Sequence, residues 1–412
     1  MICSIRLLTL FAALVTVTSA GPLEKRGLVT VPISKSAPSG HKALGHFERR
    51  RASEFLAGRY GKGISGYQAG TTASNTASNT STSIGVANAL DTYTMQVQVG
   101  TNKQSFNLLI DTGSSNTWVG AATKYKPSSS SKSTGDSITV SYGSGMFKGK
   151  EYLDTVSLGN GLVINQQSIG VATSSQGFEG VDGIIGIGPA DLTEDTVSRT
   201  TTVPTVTDNL LSQGSIAQEV IGIYYAPTTE NGAINGELTF GGVDTSKTTG
   251  AINYVPITET QPAGQYWGIN QTISLGSTEL LSAAGIVDTG TTLVLLATDV
   301  FDQYMQAIPG ATIDQNSGLL EIPASQVNSL QTLNFQIGGV TYPFTAKDQV
   351  LDQALNTFYG GNASAFYSVV SDLGSPSGQG LDFINGYLFL ERFYSVYDTT
   401  NNQVGFATTA NS

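Results

Sequence analysis

The sequence predicts an all-β protein, mainly antiparallel, that is built from two copies of one β unit. Of its 412 residues 48 are glycine and only 12% are charged, which is typical of a turn-rich β protein. An apolar run that ends in Asp-Thr-Gly and a hydroxyl residue occurs twice, at 108–114 and at 284–291. Each run has the form of a buried strand, and the tight turn after it would hold a carboxylate at the strand end. A single Asp-Thr-Gly is most often only a structural turn, but the repeat 177 residues later argues against that interpretation.

The first 20 residues have the form of a cleaved secretory signal peptide. Arg6 precedes an apolar run at 7–17, and small residues follow at 18–20. A membrane anchor is the alternative, but this run is shorter than the roughly 20 apolar residues that span a bilayer. We therefore expect a protein without a membrane anchor that is secreted from the cell rather than sent to a vacuole.

Residues 21–80 are predicted to form a basic propeptide and linker. The stretch 21–73 has 9 basic and 3 acidic residues, a net charge of +6, and includes candidate processing sites at 25–26 and 49–51. A disordered basic tail would also have this composition. The propeptide is favoured because a secretory signal precedes it and an acidic body follows. The Ser/Thr/Asn-rich stretch 71–83 is the predicted linker.

The body of the chain is strongly acidic and lacks two of the usual catalytic side chains. From residue 74 onward 10 Lys and Arg stand against 28 Asp and Glu, a net charge of −18, which argues against nucleic acid as a partner. Cys3, His41 and His46 are the only residues of their types. The body therefore has no Ser-His-Asp or Cys-His catalysis and no His or Cys zinc site. We expect neither a metal nor a cofactor.

The elements of the body follow the same two-unit plan. Strands are predicted at 93–100 and 106–110, and a hairpin with Gly and Ser at its tip at 138–147. Buried Gly-ended strands at 182–188 and 382–386 each follow one Asp-Thr-Gly. Two helices are predicted, at 205–213 and at 299–307, the second with Thr298 as its N-cap. A polar, Gly-rich stretch at 242–249 suggests two lobes, 84–244 and 245–412.

Taken together, these motifs resemble the pepsin-type aspartic endopeptidases, most of all their secreted fungal members. The similarity covers about 86–408 and rests on the motifs at 111–119, 142–145, 288–292 and 394–407. It implies two β lobes with a central cleft, a sheet that joins them, and few short helices. It also implies a monomeric zymogen whose own propeptide inhibits it through a basic side chain paired with the active-site acids. Protein or peptide substrates and pepstatin-type inhibitors would be the other partners.

By this resemblance Asp111 and Asp288 are the catalytic residues. Two carboxylates at close range do not both ionise easily, so the pair holds one proton over an acidic window. The ionised carboxylate would act as general base for a water molecule, while the protonated one would donate a hydrogen bond to the peptide carbonyl. No covalent intermediate is needed, which suits a body without Cys or His.

The resemblance also assigns supporting roles. Glycines allow the tight turns, hydroxyls bond the outer carboxylate oxygens, and threonines tie the two active-site loops together. A flap tyrosine at the hairpin tip has a tryptophan as its hydrogen-bonding partner. The turn glycines are Gly113 and Gly290, and the hydroxyls belong to Ser114 and Thr291. The threonines that tie the loops together are Thr112 and Thr289. The flap residues are Tyr142, Gly143 and Ser144, and the tryptophan is Trp118.

Two departures from the family pattern affect what we expect. Tyr387 follows Gly386 where many members have Asp, which leaves the pH optimum open. Ser144 stands where members that accept Lys at the cut carry Asp, so we expect large apolar residues beside the cleaved bond. Asn-x-Ser/Thr sequons predict glycosylation at Asn79, Asn270 and Asn362.

Two other classes of function remain as alternatives at this stage. A catalytically inactive homologue that acts as a binding protein would share the fold, but both Asp-Thr-Gly motifs are intact here. A secreted β-sandwich protein that binds or hydrolyses carbohydrate would explain the composition, and glycosidases also use carboxylate pairs. It would not explain the duplicated motif.

Overall fold

A computed structural model describes residues 28–36, 43–63, 92–142, 145–178, 180–228 and 233–412. The predicted signal peptide, the predicted linker, Asn79, Gly143 and Ser144 lie outside these residues. No helix among the described residues is long and apolar enough to cross a membrane.

The described part of the chain is mostly β. Its strands are β1 Val29–Ser36, β2 Thr92–Val99, β3 Gln104–Asp111, β4 Thr117–Val119, β5 Lys132–Ser141, β6 Met146–Gly159, β7 Leu162–Gln176, β8 Gly183–Gly186, β9 Val220–Tyr224, β10 Ile234–Phe240, β11 Asn253–Pro256, β12 Gly268–Leu275, β13 Thr278–Val287, β14 Val294–Leu296, β15 Thr312–Ile313, β16 Leu320–Glu321, β17 Leu333–Ile337, β18 Val340–Phe344, β19 Val370–Asp372, β20 Phe383–Asn385, β21 Phe393–Asp398 and β22 Gln403–Thr408. Its α-helices are α1 Leu44–Leu56, α2 Val206–Ser212, α3 Thr298–Gln306 and α4 Tyr387–Leu390. Short 3₁₀ turns occupy Ala190–Thr193, Thr245–Lys247, Ala263–Gln265, Val327–Ser329 and Gln353–Leu355.

Two large sheets carry the fold. The first has 13 strands in the order β11-β22-β21-β9-β10-β1-β2-β3-β8-β4-β7-β6-β5, and the second has seven in the order β18-β17-β12-β13-β20-β14-β19. The lobe boundary placed at 244/245 remains a proposal. The first sheet runs across it, because β21 and β22 pair with each other and β21 pairs with β9. The predicted all-β, two-lobed fold with few short helices is confirmed.

The duplicated unit that the sequence predicts is present as a repeated strand arrangement. In the first half β3 pairs in parallel with β8, and β8 pairs antiparallel with β4. In the second half β13 pairs in parallel with β20, and β20 pairs antiparallel with β14. The parts of these strands that pair in parallel are buried, as parallel pairing within a core requires. Each unit therefore holds the end of its Asp-Thr-Gly strand rigidly.

The N-caps of α2 and α3 differ in kind. Thr205 caps α2 as part of a capping box, accepting from the Asp208 amide at 3.2 Å while the Asp208 carboxylate accepts from the Thr205 amide at 2.7 Å. The prediction of Thr298 as N-cap of the next helix is wrong. Ala297 is the N-cap of α3, and Thr298 instead donates its hydroxyl to Asp372 Oδ1 at 2.6 Å. The Thr298 hydroxyl therefore bonds a residue distant in sequence instead of capping the helix.

Two elements of the first 60 residues were not predicted from the sequence. β1 lies inside the first sheet, between β10 and β2. Helix α1 packs with Leu44, Phe47 and Phe55 buried. The alternative of a disordered basic tail is therefore wrong for residues 29–36 and 44–56.

Candidate active site

Asp111 and Asp288 meet at the centre of the molecule, each at the end of a buried strand. Asp111 is the last residue of β3, and Asp288 follows directly on β13. Both side chains are fully buried. The Nη2 atom of Arg51 lies 3.0 Å from Asp111 Oδ1 and 2.9 Å from Asp288 Oδ2, so a single donor atom reaches both carboxylates.

The two turns hold their carboxylates with matching hydrogen bonds. Asp111 Oδ1 accepts from the Gly113 amide at 3.2 Å, and its Oδ2 accepts from the Ser114 hydroxyl at 2.5 Å. Asp288 Oδ1 accepts from the Gly290 amide at 3.1 Å, and its Oδ2 accepts from the Thr291 hydroxyl at 2.6 Å. These donors orient both carboxylates and favour their charged forms.

Glycine is required in both turns because the opposite carboxylate lies too close for a side chain. A Cβ on Gly113 would stand 2.8 Å from Asp288 Oδ1, and one on Gly290 would stand 2.5 Å from Asp111 Oδ1. Neither glycine is chosen for a left-handed backbone. The glycines are therefore what allows the two turns to approach each other.

Thr112 and Thr289 join the two turns by reciprocal hydrogen bonds. The amide of Thr112 donates to the Thr289 hydroxyl oxygen at 3.0 Å, and the amide of Thr289 donates to the Thr112 hydroxyl oxygen at 2.9 Å. Each hydroxyl in turn donates to a carbonyl of the opposite strand, Val287 at 3.3 Å and Ile110 at 2.9 Å. All four groups are buried, so the link is shielded from water.

The electrostatics of the pair favour a shared proton. Burial raises the pKa of Asp111 to about 6, the Arg51 guanidinium acts against that rise, and the Asp288 charge adds to it. Two buried carboxylates beside one cation cannot both be charged without cost. The pair can therefore act as one acid and one base.

The flap residues lie above the dyad as an aromatic group. Tyr142 follows β5 of the β5–β6 hairpin and is buried. Burial raises the pKa of its hydroxyl, and hydrogen bonds with Trp118 and Ser114 act in the opposite direction. Phe178 joins the two rings, edge-on to Tyr142 at 5.3 Å and to Trp118 at 4.8 Å between centroids. The hairpin tip itself, Gly143 and Ser144, lies outside the described residues.

Tyr387 lies close to the second turn, but its hydroxyl points elsewhere. Its amide donates to the carbonyl of Thr291 at 2.7 Å, which helps to hold the Asp288 turn. Its hydroxyl lies 3.2 Å from the hydroxyl of Tyr359. The departure noted in the sequence thus supports the turn through its backbone.

Sequence reasoning missed the residues that fill the cleft. They belong to residues 43–63, here called the cleft segment, and the side chains concerned are Glu48, Arg51, Phe55 and Tyr60. Tyr60 donates to Asp111 Oδ2 at 3.4 Å, stacks on Phe55 at 4.0 Å, and lies edge-on to Tyr142 at 5.6 Å. The Arg51 guanidinium stands 4.3 Å from the Tyr60 ring centroid. The resemblance predicted a basic side chain here without identifying Arg51.

The position of Arg51 also bears on the candidate processing site at 49–51. This residue lies within α1 and its side chain is only 4% exposed. A protease needs an accessible, extended chain, so cleavage here would require α1 to leave the cleft first. The other candidate site, at 25–26, lies outside the described residues.

Within the described ranges no cluster of three or more His, Cys, Asp or Glu could hold a metal ion. Of the predicted glycosylation sites, Asn270 on β12 and Asn362 both have exposed side chains. Asn79 is not among the described residues.

Comparisons with known proteins place the chain in a family. A family model described as eukaryotic aspartyl protease matches residues 92–409. The chain is 55% identical to polyporopepsin of Irpex lacteus over 332 residues, 80% of this chain and 97% of that protein. It is 33% identical to gastricsin of Cavia porcellus, covering 77% and 80% of the two chains. The crystal structure of aspartic proteinase from Irpex lacteus superposes with a TM-score of 0.75 at 55% identity, over 77% of this chain and 94% of that one.

Proposed function

The chain belongs to the eukaryotic aspartyl protease family and is a pepsin-like aspartic endopeptidase, and from its site we propose that Asp111 and Asp288 activate one water molecule to hydrolyse peptide bonds at acid pH. The observation that carries this proposal is the position of Arg51 Nη2, within 3.0 Å of both carboxylates. Once the cleft segment has left, a water at that position has a hydrogen-bond acceptor on each side.

The reaction then needs only these two groups. The ionised carboxylate takes a proton from the water as its oxygen attacks the peptide carbonyl, while the protonated carboxyl donates its proton to the carbonyl oxygen. The carboxyl that took the proton of the water then donates it to the leaving amine, while the other carboxylate takes a proton from a hydroxyl of the tetrahedral intermediate as the C–N bond breaks. The pair returns to its singly protonated form when the products depart. Acid pH is required because one proton must stay on the pair.

The protein is made as a zymogen in this proposal, with the cleft segment as its inhibitor. Arg51 occupies the position of the water, and Phe55 and Tyr60 fill the space beside the flap. At lower pH the acidic body loses negative charge, its attraction for the basic segment weakens and the segment is released. A time course of the full precursor at pH 7 and at about pH 3–4, near the ordinary pKa of a carboxyl group, would follow its N-terminus by mass spectrometry and its activity with a peptide substrate.

Large apolar residues are the proposed preference on both sides of the cut. The support is that the segment itself places two aromatic rings in the cleft, one against Tyr142 and one against Tyr266 at 4.9 Å. A pair of peptides that differ only in Phe or Lys at the cleaved bond measures this preference. Equal cleavage of the two would contradict it.

Secretion with glycosylation is proposed from the signal peptide and the exposed sequons. Peptide mapping of the secreted protein should find glycan at Asn270 or Asn362, or at Asn79 if that residue remains in the mature chain. Absence of glycan at all three in protein from a eukaryotic host would count against passage through the secretory pathway.

Cleavage of haemoglobin or casein at acid pH, with and without pepstatin, tests the proposal as a whole. We expect cleavage that pepstatin abolishes. An inactive binding homologue or a carbohydrate-active protein would cleave neither protein, and cleavage that persists with pepstatin would contradict the proposal.

A further inference from the structure

The cleft segment brings a carboxyl group of its own into the active site. Glu48 precedes Arg51 by one turn of α1 and is fully buried. Its Oε1 accepts a hydrogen bond from the amide of Thr292, just beyond the second Asp-Thr-Gly turn, at 2.8 Å. Its Oε2 is buried without a hydrogen-bond partner among the described residues. A buried carboxylate oxygen without a donor is costly when charged and tolerated when protonated.

The groups around Glu48 contain more acid than base. Arg51 faces it from its own helix, and Asp288 faces it from the turn after β13. Asp111 and the Tyr60 hydroxyl complete the cluster around Arg51. If all three carboxylates were ionised, one guanidinium would face three negative charges in a site closed to water. Such a site carries a net charge of −2, which a low-dielectric interior disfavours.

Protonation of the carboxylates reduces this excess of negative charge. Burial raises the pKa of Glu48 to about 7, the Arg51 charge opposes the rise, and the Asp288 charge adds to it. The pKa of Asp111 is raised to about 6, also chiefly by burial. At weakly acid pH both groups hold protons, so two of the three carboxyl groups around charged Arg51 are then neutral.

We propose that Glu48 is a proton-dependent latch of the precursor, which holds α1 in the cleft when it carries a proton and loosens α1 when it loses that proton above neutrality. This latch rests on the proposed inhibitory role of the cleft segment. It adds to the acid release described above a second, opposite release on the alkaline side. The precursor is therefore closed most tightly in a weakly acid window.

The direction follows from linkage between proton binding and docking. In the released segment Glu48 lies in water with an ordinary carboxyl pKa, whereas the docked form binds the proton more tightly. The proton on Glu48 therefore stabilises docking fully at pH values below the pKa of Glu48 in the released segment. This stabilisation is lost as pH rises through the pKa of Glu48 in the docked segment. Arg51 cannot compensate, because it remains charged throughout this range.

Hydrogen exchange of the full-length precursor between pH 6 and 8.5 tests the latch. Exchange in peptides from 44–56, corrected for the intrinsic pH dependence of amide exchange, reports the open fraction of α1. We expect the open fraction of wild type to rise about 10-fold or more across this range. Glu48→Gln should remove most of that rise, because its amide oxygen can still accept from Thr292 and it carries no charge. Glu54→Gln is the matched control, since it makes the same charge change on the partly exposed side of α1, where Glu54 pairs with Arg59 at 2.9 Å.

The outcomes separate the latch from other roles. A wild-type open fraction that stays constant with pH would overturn the latch whatever the variants do. Equal loss of protection at every pH in Glu48→Gln would also overturn it, because Glu48 would then be only a packing contact. A rise in Glu54→Gln that is as weak as in Glu48→Gln would assign the effect to helix charge in general. The exchange readout needs no catalysis, so failure of the acid cleavage assay would overturn the proposed function and leave the latch standing.

Discussion

At the scale of single residues, the site is a pair of turns that differ by one methyl group. Ser114 and Thr291 make the same hydrogen bond to their carboxylates, at 2.5 and 2.6 Å. The amides of Gly113 and Gly290 do the same for the other oxygens, at 3.2 and 3.1 Å. Because the surroundings are so similar, either Asp can hold the shared proton, and neither role belongs to one residue in the free enzyme.

We expect Asp111→Asn and Asp288→Asn each to abolish peptide hydrolysis. An amide can neither take nor release the proton that the reaction needs, and general acid–base roles are worth about 10²–10⁴-fold in rate. The measurement is kcat of the acid-activated enzyme, with circular dichroism as the control for folding. A folded single variant that keeps more than about a hundredth of wild-type kcat would contradict the two-Asp mechanism.

Ser114→Ala should move the acid limb of the kcat/KM profile to higher pH. The Ser114 hydroxyl stabilises the charged form of Asp111, so its loss raises the pKa of the pair. A hydrogen bond to a charged group is worth about 1.5–3 kcal/mol, which corresponds to a shift of about one pH unit or more. Ser114→Thr is the control, because the chain itself uses Thr at the equivalent position 291. An unchanged profile in Ser114→Ala would contradict this account.

At the scale of elements, α1 is a helix that the sequence analysis did not predict. Its buried positions 44, 45, 47, 48, 51, 52 and 55 recur at helical spacing. Two of them are Glu48 and Arg51, which break the apolar stripe and make the helix resemble a charged tail. Ala43, its N-cap, has a left-handed backbone (φ 82°) and makes no side-chain cap bond. The helix is therefore stabilised by the cleft that it fills rather than by local signals.

Arg51→Gln should weaken the inhibited state of the precursor. Arg51 is buried and bonded to both carboxylates, and removing one partner of such a buried charge cluster costs about 3–5 kcal/mol. We expect the variant precursor to cleave a peptide substrate at a mildly acid pH where wild-type precursor is inert. Arg50→Gln, the same change on the exposed face of the same helix, should behave as wild type. Equal latency of the two variants would show that Arg51 does not hold the segment.

At the scale of the whole molecule, excess acid makes stability depend on pH. The chain from residue 74 carries a net charge of −18, so carboxylates repel one another near neutrality. Glu151 on β6 makes its own contribution to the pH dependence of stability. It is 2% exposed, and the Ser168 hydroxyl donates to its Oε1 while its Oε2 is buried without a hydrogen-bond partner among the described residues.

Glu151→Gln should therefore stabilise the protein at pH 7 and have little effect at pH 4.5. Burial raises the pKa of Glu151 from 4.5 to about 7, so its stabilisation is complete below about pH 4.5 and is lost as pH rises to 7. The difference is at most about 3 kcal/mol in the free energy of unfolding. Urea unfolding at both pH values, in an Asp288→Asn background that prevents self-digestion, measures it. Glu279→Gln, on an exposed position of β13, should not change the pH dependence. A stabilisation equal at both pH values would contradict the titration of Glu151.

The repeated motif alone determined much of this protein. Two apolar strands that each end in Asp-Thr-Gly were enough to predict the β class, the duplicated unit and Asp111 with Asp288 as partners. Such features are local, because strand periodicity and turn chemistry are written in adjacent residues. The helix predicted at 205–213 rests on local signals in the same way, and the structure has α2 at Val206–Ser212.

Only the tertiary structure decided which distant groups meet. Thr298 satisfies the local rule for an N-cap, yet its hydroxyl bonds Asp372, 74 residues away. Glu48 and Arg51 look like solvated charges in sequence, yet the fold buries them against Asp288, because an ion cluster can replace water when its partners come from other parts of the chain. A hydrogen bond or ion pair across more than 200 residues leaves no periodic trace, so no pattern in 43–63 identifies Glu48 and Arg51 as the side chains that reach the active site.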